Sequence, residues 1–150
     1  MARAKMGITP EIGDYLARHA RQDEILARVE KETAARPDAQ MQVSPDEGAL
    51  LTLLAQLVGA TRALEVGTFT GYSAICIARG LAAGGTLTCL ELSPEFAATA
   101  LANVEAAGLA DRVEIKLGPA DAALRALPEE RPLTSRSSTP TRPATRRTTT

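Results

Sequence analysis

The sequence has little from which to build metal or disulfide chemistry. It contains one histidine, His19, and two cysteines, Cys76 and Cys89, which fall in separate expected elements with no CxxC spacing. Both cysteines read as buried structural thiols, and His19 as a surface or packing residue of an N-terminal helix. Long hydrophobic runs are also missing: nothing approaches the roughly 20 apolar residues of a membrane span, and the N-terminus lacks the apolar core of a secretion signal, so the expected location is the cytoplasm. An excess of one charge is absent too. With 17 basic and 18 acidic residues the net charge is -1, which gives no reason to expect nucleic acid or an anionic membrane as partner. The balance is uneven, because Thr134–Thr150 carries four arginines and no acid. The length of 150 residues suits one domain with a real core.

Helix-start chemistry recurs along the chain. Thr9-Pro10-Glu11 begins a helical run to about Ala35, with a polar break at Arg21–Glu24 and an apolar stripe of Ile12, Leu16, Leu26 and Val29. This segment, residues 1–40, reads as a helical appendage and not as core. Ser44-Pro45-Asp46-Glu47 starts the next helix, whose Leu50, Leu51, Leu54, Leu57 and Val58 are expected to bury one face. From there short apolar runs alternate with helical segments: strands at Ala63–Val66, Thr86–Leu90 and Val113–Leu117, helices at Tyr72–Leu81, Ser93–Ala107 and Ala120–Leu127. This alternation is the pattern of an α/β fold with a parallel sheet and right-handed crossovers.

Two features carry chemistry. Glu65-Val66-Gly67-Thr68-Phe69-Thr70-Gly71-Tyr72-Ser73 joins a strand end to a helix start through a glycine-containing turn, the place where open α/β sheets bind ligands. Glu91 ends the next strand, about 20 residues on, where a carboxylate can accept the hydroxyls of a ribose. Together they predict an adenosine pocket. The glycines follow G-x-x-x-G and not the dinucleotide G-x-G-x-x-G, and Glu65 would repel a pyrophosphate while suiting the cationic end of S-adenosylmethionine. An NAD-dependent dehydrogenase is the weaker alternative, and a non-catalytic adenosylmethionine binder a third. Lys116 reads as a solvated strand-edge residue and Asp121 as a helix-start charge.

MQVSPDEG (41–48), ALEVGTFTGYSA (63–74), LEL (90–92), AGLADRVEI (107–115) and LGPA (117–120) resemble, in order and spacing, the bacterial O-methyltransferases related to caffeoyl-CoA and catechol O-methyltransferases, over about residues 10–130. The resemblance implies a Rossmann-like methyltransferase fold and methyl transfer from S-adenosylmethionine to a hydroxyl of a small, catechol-like aromatic acceptor. It places Val43, Glu65, Gly67, Thr68, Ser73, Glu91 and Ala120 at the cofactor, with Glu91 on the ribose, Ala120 beside the adenine, and Glu65 and Ser73 at the methionine end. A homodimer is expected from the same likeness.

The family also uses a divalent cation, usually magnesium, whose first ligand is an aspartate in a strand resembling FDLVFIDADK. Here no aspartate follows Asp121. After Arg131-Pro132 the chain reads LTSRSSTPTRPATRRTTT, which is compatible, one base out of frame, with FDLAFIDADKAGYAPYYN. The expectation is a partial cofactor-binding domain over residues 1–132 and a disordered, out-of-frame tail over 133–150, with little or no activity in this chain. A genuine low-complexity tail would be disordered as well.

Overall fold

A computed structural model describes residues 9–20 and 22–125. The helix expected after Thr9 is α1, Pro10–His19; α2 is Glu24–Ala34, and a 3-10 turn follows at Ala39–Met41. The rest of the order is α3 Pro45–Leu57, β1 Arg62–Val66, α4 Tyr72–Gly80, β2 Thr86–Glu91, α5 Pro94–Ala106, β3 Val113–Leu117 and α6 Ala120–Arg125. The end of the last expected helix, and the whole stretch 133–150, lie outside the described residues. Among those residues no helix is long and apolar enough to cross a membrane.

The strands form one parallel sheet in the order β1-β2-β3. Register sets which side chains share a row. Ala63, Leu87 and Val113 align across the sheet, and so do Glu65, Cys89 and Ile115. Side chains alternate along a strand, so these rows lie on one face. Leu87, Cys89 and Val113 from them join Leu26, Val29, Ile75 and Val104 from the helices in the core. Glu65 therefore belongs to the apolar row. That placement matters for its chemistry.

Within the segment expected as an appendage, α2 is part of the core. Val29 is fully buried and Leu26 and Thr33 nearly so, because α2 packs against α4 and α5; of the expected stripe only Ile12 stays exposed, with Leu16 half-buried. Asp23 caps α2 by accepting the Leu26 amide at 2.9 Å, which fixes the break between α1 and α2.

The leucine face of α3 is also not where periodicity put it. Leu50, Leu54 and Val58 are about half exposed and Leu57 is 63% exposed, while the buried positions are Gly48 and Ala55. Small residues turn inward because α3 and α4 approach closely: a Cβ on Gly80 would overlap the Thr52 carbonyl and the Ala55 side chain. Thr52 Oγ1 reaches across to the Cys76 carbonyl at 2.8 Å. Gly80→Ala is expected to force the helices apart and lower stability by about 2–3 kcal/mol, the cost of overpacking against backbone, which thermal unfolding will read directly.

Candidate functional site

The β1–α4 loop is bent by left-handed residues. Gly67 has φ +79° and Phe69 φ +49°; no other non-glycine among the described residues has positive φ. Such a conformation in a bulky side chain needs outside support. Phe69 has it: its ring meets Phe96 edge-on at 4.9 Å, and the Arg36 guanidinium lies 5.7 and 5.4 Å from the two ring centroids. Arg36 is itself held by Asp38 and Glu95.

Glu91 supplies the polar half of that support. Because β1 ends at Val66, opposite Leu90, the space beside Glu91 is filled by the loop. One carboxylate oxygen accepts the Thr68 and Phe69 amides at 2.8 and 3.0 Å, and the other accepts the Leu92 and Ser93 amides at 2.8 and 2.9 Å. The group is only 6% exposed. Burial raises its pKa, but the amides of Ser93, Phe69, Thr68 and Leu92 outweigh that and hold it below the usual carboxylate value. It remains an anion.

Glu65 is pushed the other way. Lying in the apolar row, it loses solvation, and this raises its pKa; hydrogen bonds from Ser73, Thr68 and Cys89 offset part of the rise, and the nearby Glu91 charge adds to it. Thr68 Oγ1 donates to its carboxylate. Thr68 thus ties two acids together, giving its amide to Glu91 and its hydroxyl to Glu65. A half-buried, largely desolvated carboxylate with no cationic side chain against it among the described residues is suited to a cationic ligand group.

Two cavities meet at this loop. One, of about 450 Å³, lies between the ends of β1, β2 and β3 and is lined by Gly67, Glu91, Leu92, Gly118, Pro119 and Ala120 among others. The second, of about 100 Å³, is lined by Val43, Gly67, Thr68 and Ser73, with Gln42 and Thr70. Gly67 lies in both. The structure thus brings together the residues singled out in the sequence: Glu91 and Ala120 at one end, Val43, Thr68 and Ser73 at the other, Gly67 between, and Glu65 beneath Thr68. Leu92 and Gln42 were missed, although each adjoins a predicted residue; Gly118-Pro119 could have been found as the turn that ends β3. His19 stays on α1, its ring nitrogen against the Tyr15 carbonyl, and Cys76 and Cys89 are free and buried.

The sequence profile of the family described as O-methyltransferase matches residues 17–137. The chain belongs to that family. Among similar proteins, a catechol O-methyltransferase of Niastella koreensis is 41% identical over 109 residues, 73% of this chain and 49% of that protein. Caffeoyl-CoA O-methyltransferase 1 of Zea mays is 33% identical over 102 residues, 68% of this chain and 40% of that protein. The solved O-methyltransferase from Bacillus cereus in complex with SAH superposes with TM-score 0.72 at 40% identity, covering 77% of this chain and 53% of that one. TomG from Streptomyces achromogenes, an O-methyltransferase solved in complex with SAM, gives 0.71 at 37% identity, covering 83% and 56%. The chain spans about half the length of such O-methyltransferase relatives.

Proposed function

We propose that this chain is the cofactor-binding part of an S-adenosylmethionine-dependent O-methyltransferase. The observation that carries this reading is the pair of cavities joined at Gly67, with an anionic Glu91 at the end of β2 and a desolvated Glu65 beneath the loop. Glu91 and Ala120 would hold the adenosine, with the open Gly67 backbone beside it. Val43, Thr68 and Ser73 would hold the methionine end, where Glu65 balances the cationic groups. A pyrophosphate would meet the same two acids unfavourably. Bound adenosylmethionine supplies an electrophilic methyl group on a sulfonium. The chain's own contribution is positioning and electrostatics, and the acceptor we expect is a small, catechol-like hydroxyl compound.

The expected divalent cation is a different matter. Among the described residues no three His, Cys, Asp or Glu side chains converge on one point that could hold it. The described sheet also has helices over only part of its surface: residues 62–65 of β1 are half-buried and Val66, its last residue, is exposed, whereas parallel sheets are normally covered on both faces. This supports reading residues 1–132 as part of a larger domain, with little or no turnover by the chain alone. The free buried thiols fit a reducing compartment and thus the cytoplasm.

Calorimetric titration with S-adenosylhomocysteine and, separately, NAD decides between the adenosine cofactors. Binding of the first and not the second is the expected result; saturable NAD binding alone would point to a dehydrogenase. Metal-dependent methylation of a catechol by these 150 residues would remove the claim of low turnover.

The homodimer rests on α3. Gly48–Thr61 contains no charged residue, and the exposed leucines form a patch of the kind that marks an interface. A two-fold contact sets this patch against itself with no like-charge repulsion. Leu54→Glu is expected to convert a dimer to a monomer in light scattering while leaving the circular dichroism spectrum unchanged; a monomeric wild type removes the assignment.

A further inference from the structure

Two of the best-buried hydroxyls near the site belong to residues that the cofactor reading does not use in full. Thr70 is 1% exposed, and Thr33, on α2, is 2% exposed. Thr33 Oγ1 donates to Thr70 Oγ1 at 3.0 Å. A hydroxyl carries a single proton, so receiving Thr33's leaves Thr70 free to send its own to Gln42 Oε1, 3.4 Å away. The backbone of Thr70 is pinned independently: Asn103 Nδ2, from inside α5, donates to its carbonyl at 2.9 Å, and Arg28 Nη2 donates to Asn103 Oδ1 at 3.2 Å. Thr70 is therefore held by α2 and α5 together, and its hydroxyl donates to Gln42, which lines the smaller cavity beside Val43.

We propose that Thr33, which lines neither cavity, is a positioning residue for the cofactor site, acting through the Thr70 hydroxyl to hold Gln42, and with it the Val43 wall, over the methionine end. α2 reaches the ligand through this relay. The 3-10 turn at Ala39–Met41 closes mainly on itself, through Met41 N to Asp38 O and Gln42 N to Ala39 O, so the Gln42–Thr70 contact is a direct side-chain tie between that wall and the glycine loop. The inference rests on the adenosylmethionine reading above.

The test is titration of the full 150-residue chain with S-adenosylhomocysteine, for wild type, Thr33→Val, Thr33→Ser, Thr70→Val and the T33V/T70V pair, with thermal unfolding run beside it. Thr33→Val keeps shape and removes the donor. It is expected to weaken binding about fivefold to tenfold, the scale of one net hydrogen bond. Thr33→Ser should restore wild-type affinity to within about twofold, and in the Thr70→Val background Thr33→Val should add no loss beyond about twofold, the usual limit of additivity. Wild-type affinity in Thr33→Val, or an equal further loss in the Thr70→Val background, overturns the relay. If the wild type does not bind adenosylhomocysteine at all, the cofactor reading fails by itself, and amide exchange judges the relay without ligand. Faster exchange at residues 41–43 in Thr33→Val but not Thr33→Ser supports it, and unchanged exchange overturns it.

Discussion

Replacing Glu91 by glutamine is expected to lower stability by about 2–4 kcal/mol, because each buried donor left without its acceptor costs about 1–3 kcal/mol. The carboxylate divides its oxygens between two pairs of amides, Thr68 with Phe69 and Leu92 with Ser93. A carboxamide has one oxygen, so whichever pair keeps it, the other pair faces an NH2 group. The β1–α4 loop then separates from the β2–α5 loop, and both walls of the larger cavity are disturbed. Adenosylhomocysteine affinity should fall by more than about tenfold, since a charged acceptor and the loop geometry are lost together. The pH dependence gives an independent check. Glu91 has its pKa lowered from the ordinary 4.5 in the folded protein. Its contribution is therefore fully present above about 4.5 and is lost as the pH falls through the lowered folded value. The stability difference between wild type and Glu91→Gln should be flat near neutral pH and shrink below that window. A difference that is small near neutral pH, or that persists in acid, would show that the amides do not depend on the carboxylate charge.

Glu65 makes the opposite contribution. Its pKa is raised, so its ionised form costs stability near neutral pH, and the cost is relieved as the pH falls through the raised value. A cationic ligand group beside it would reverse that penalty. The two acids lie on the same face at adjacent strand ends, yet one is stabilised by the backbone and the other waits for a counter-charge.

The positions of these acids were legible in the sequence, but their environments were not. Strand ends and helix starts are written locally: the Ser44 amide does donate to Glu47 at 2.8 Å, and Ser93 does accept the Phe96 amide at 3.3 Å. The seat of Glu91 among main-chain amides depends on a backbone path through left-handed Phe69, for which no residue type is a reliable sign. The inward face of α3 failed for another reason. Its residues are apolar nearly all round, so periodicity does not choose a side; the choice is made by where Gly48 and Gly80 allow a second helix to approach. The role of α2 was hidden because one of its buried contacts is a threonine, and a buried Thr33 becomes intelligible only once Thr70 is seen opposite it.

Gly71→Ala is expected to cost about 3–4 kcal/mol and to abolish cofactor binding, through two effects of different origin. Gly71 sits at the N-cap of α4 with φ +87°, where a side chain costs about 1–2 kcal/mol for left-handed geometry alone. Beyond that, its Cβ would lie 3.1 Å from Ala100 Cα and 3.2 Å from Ala100 Cβ and O, and crowding against backbone in a packed site adds about 1–3 kcal/mol. The strain is best relieved by moving the start of α4 away from α5. That motion draws Ser73 off Glu65 and pulls Thr70 from Asn103. The pair of effects separates experimentally: adding Ala100→Gly removes the Cβ contact but leaves the Cα and carbonyl contacts and the left-handed backbone, so only a partial recovery of melting temperature is expected, with no return of adenosylhomocysteine binding. Full recovery in the double variant would mean that side-chain crowding alone sets the glycine requirement. A Gly71→Ala protein that melts and binds like wild type would mean that the close approach of α4 to α5 does not position the site.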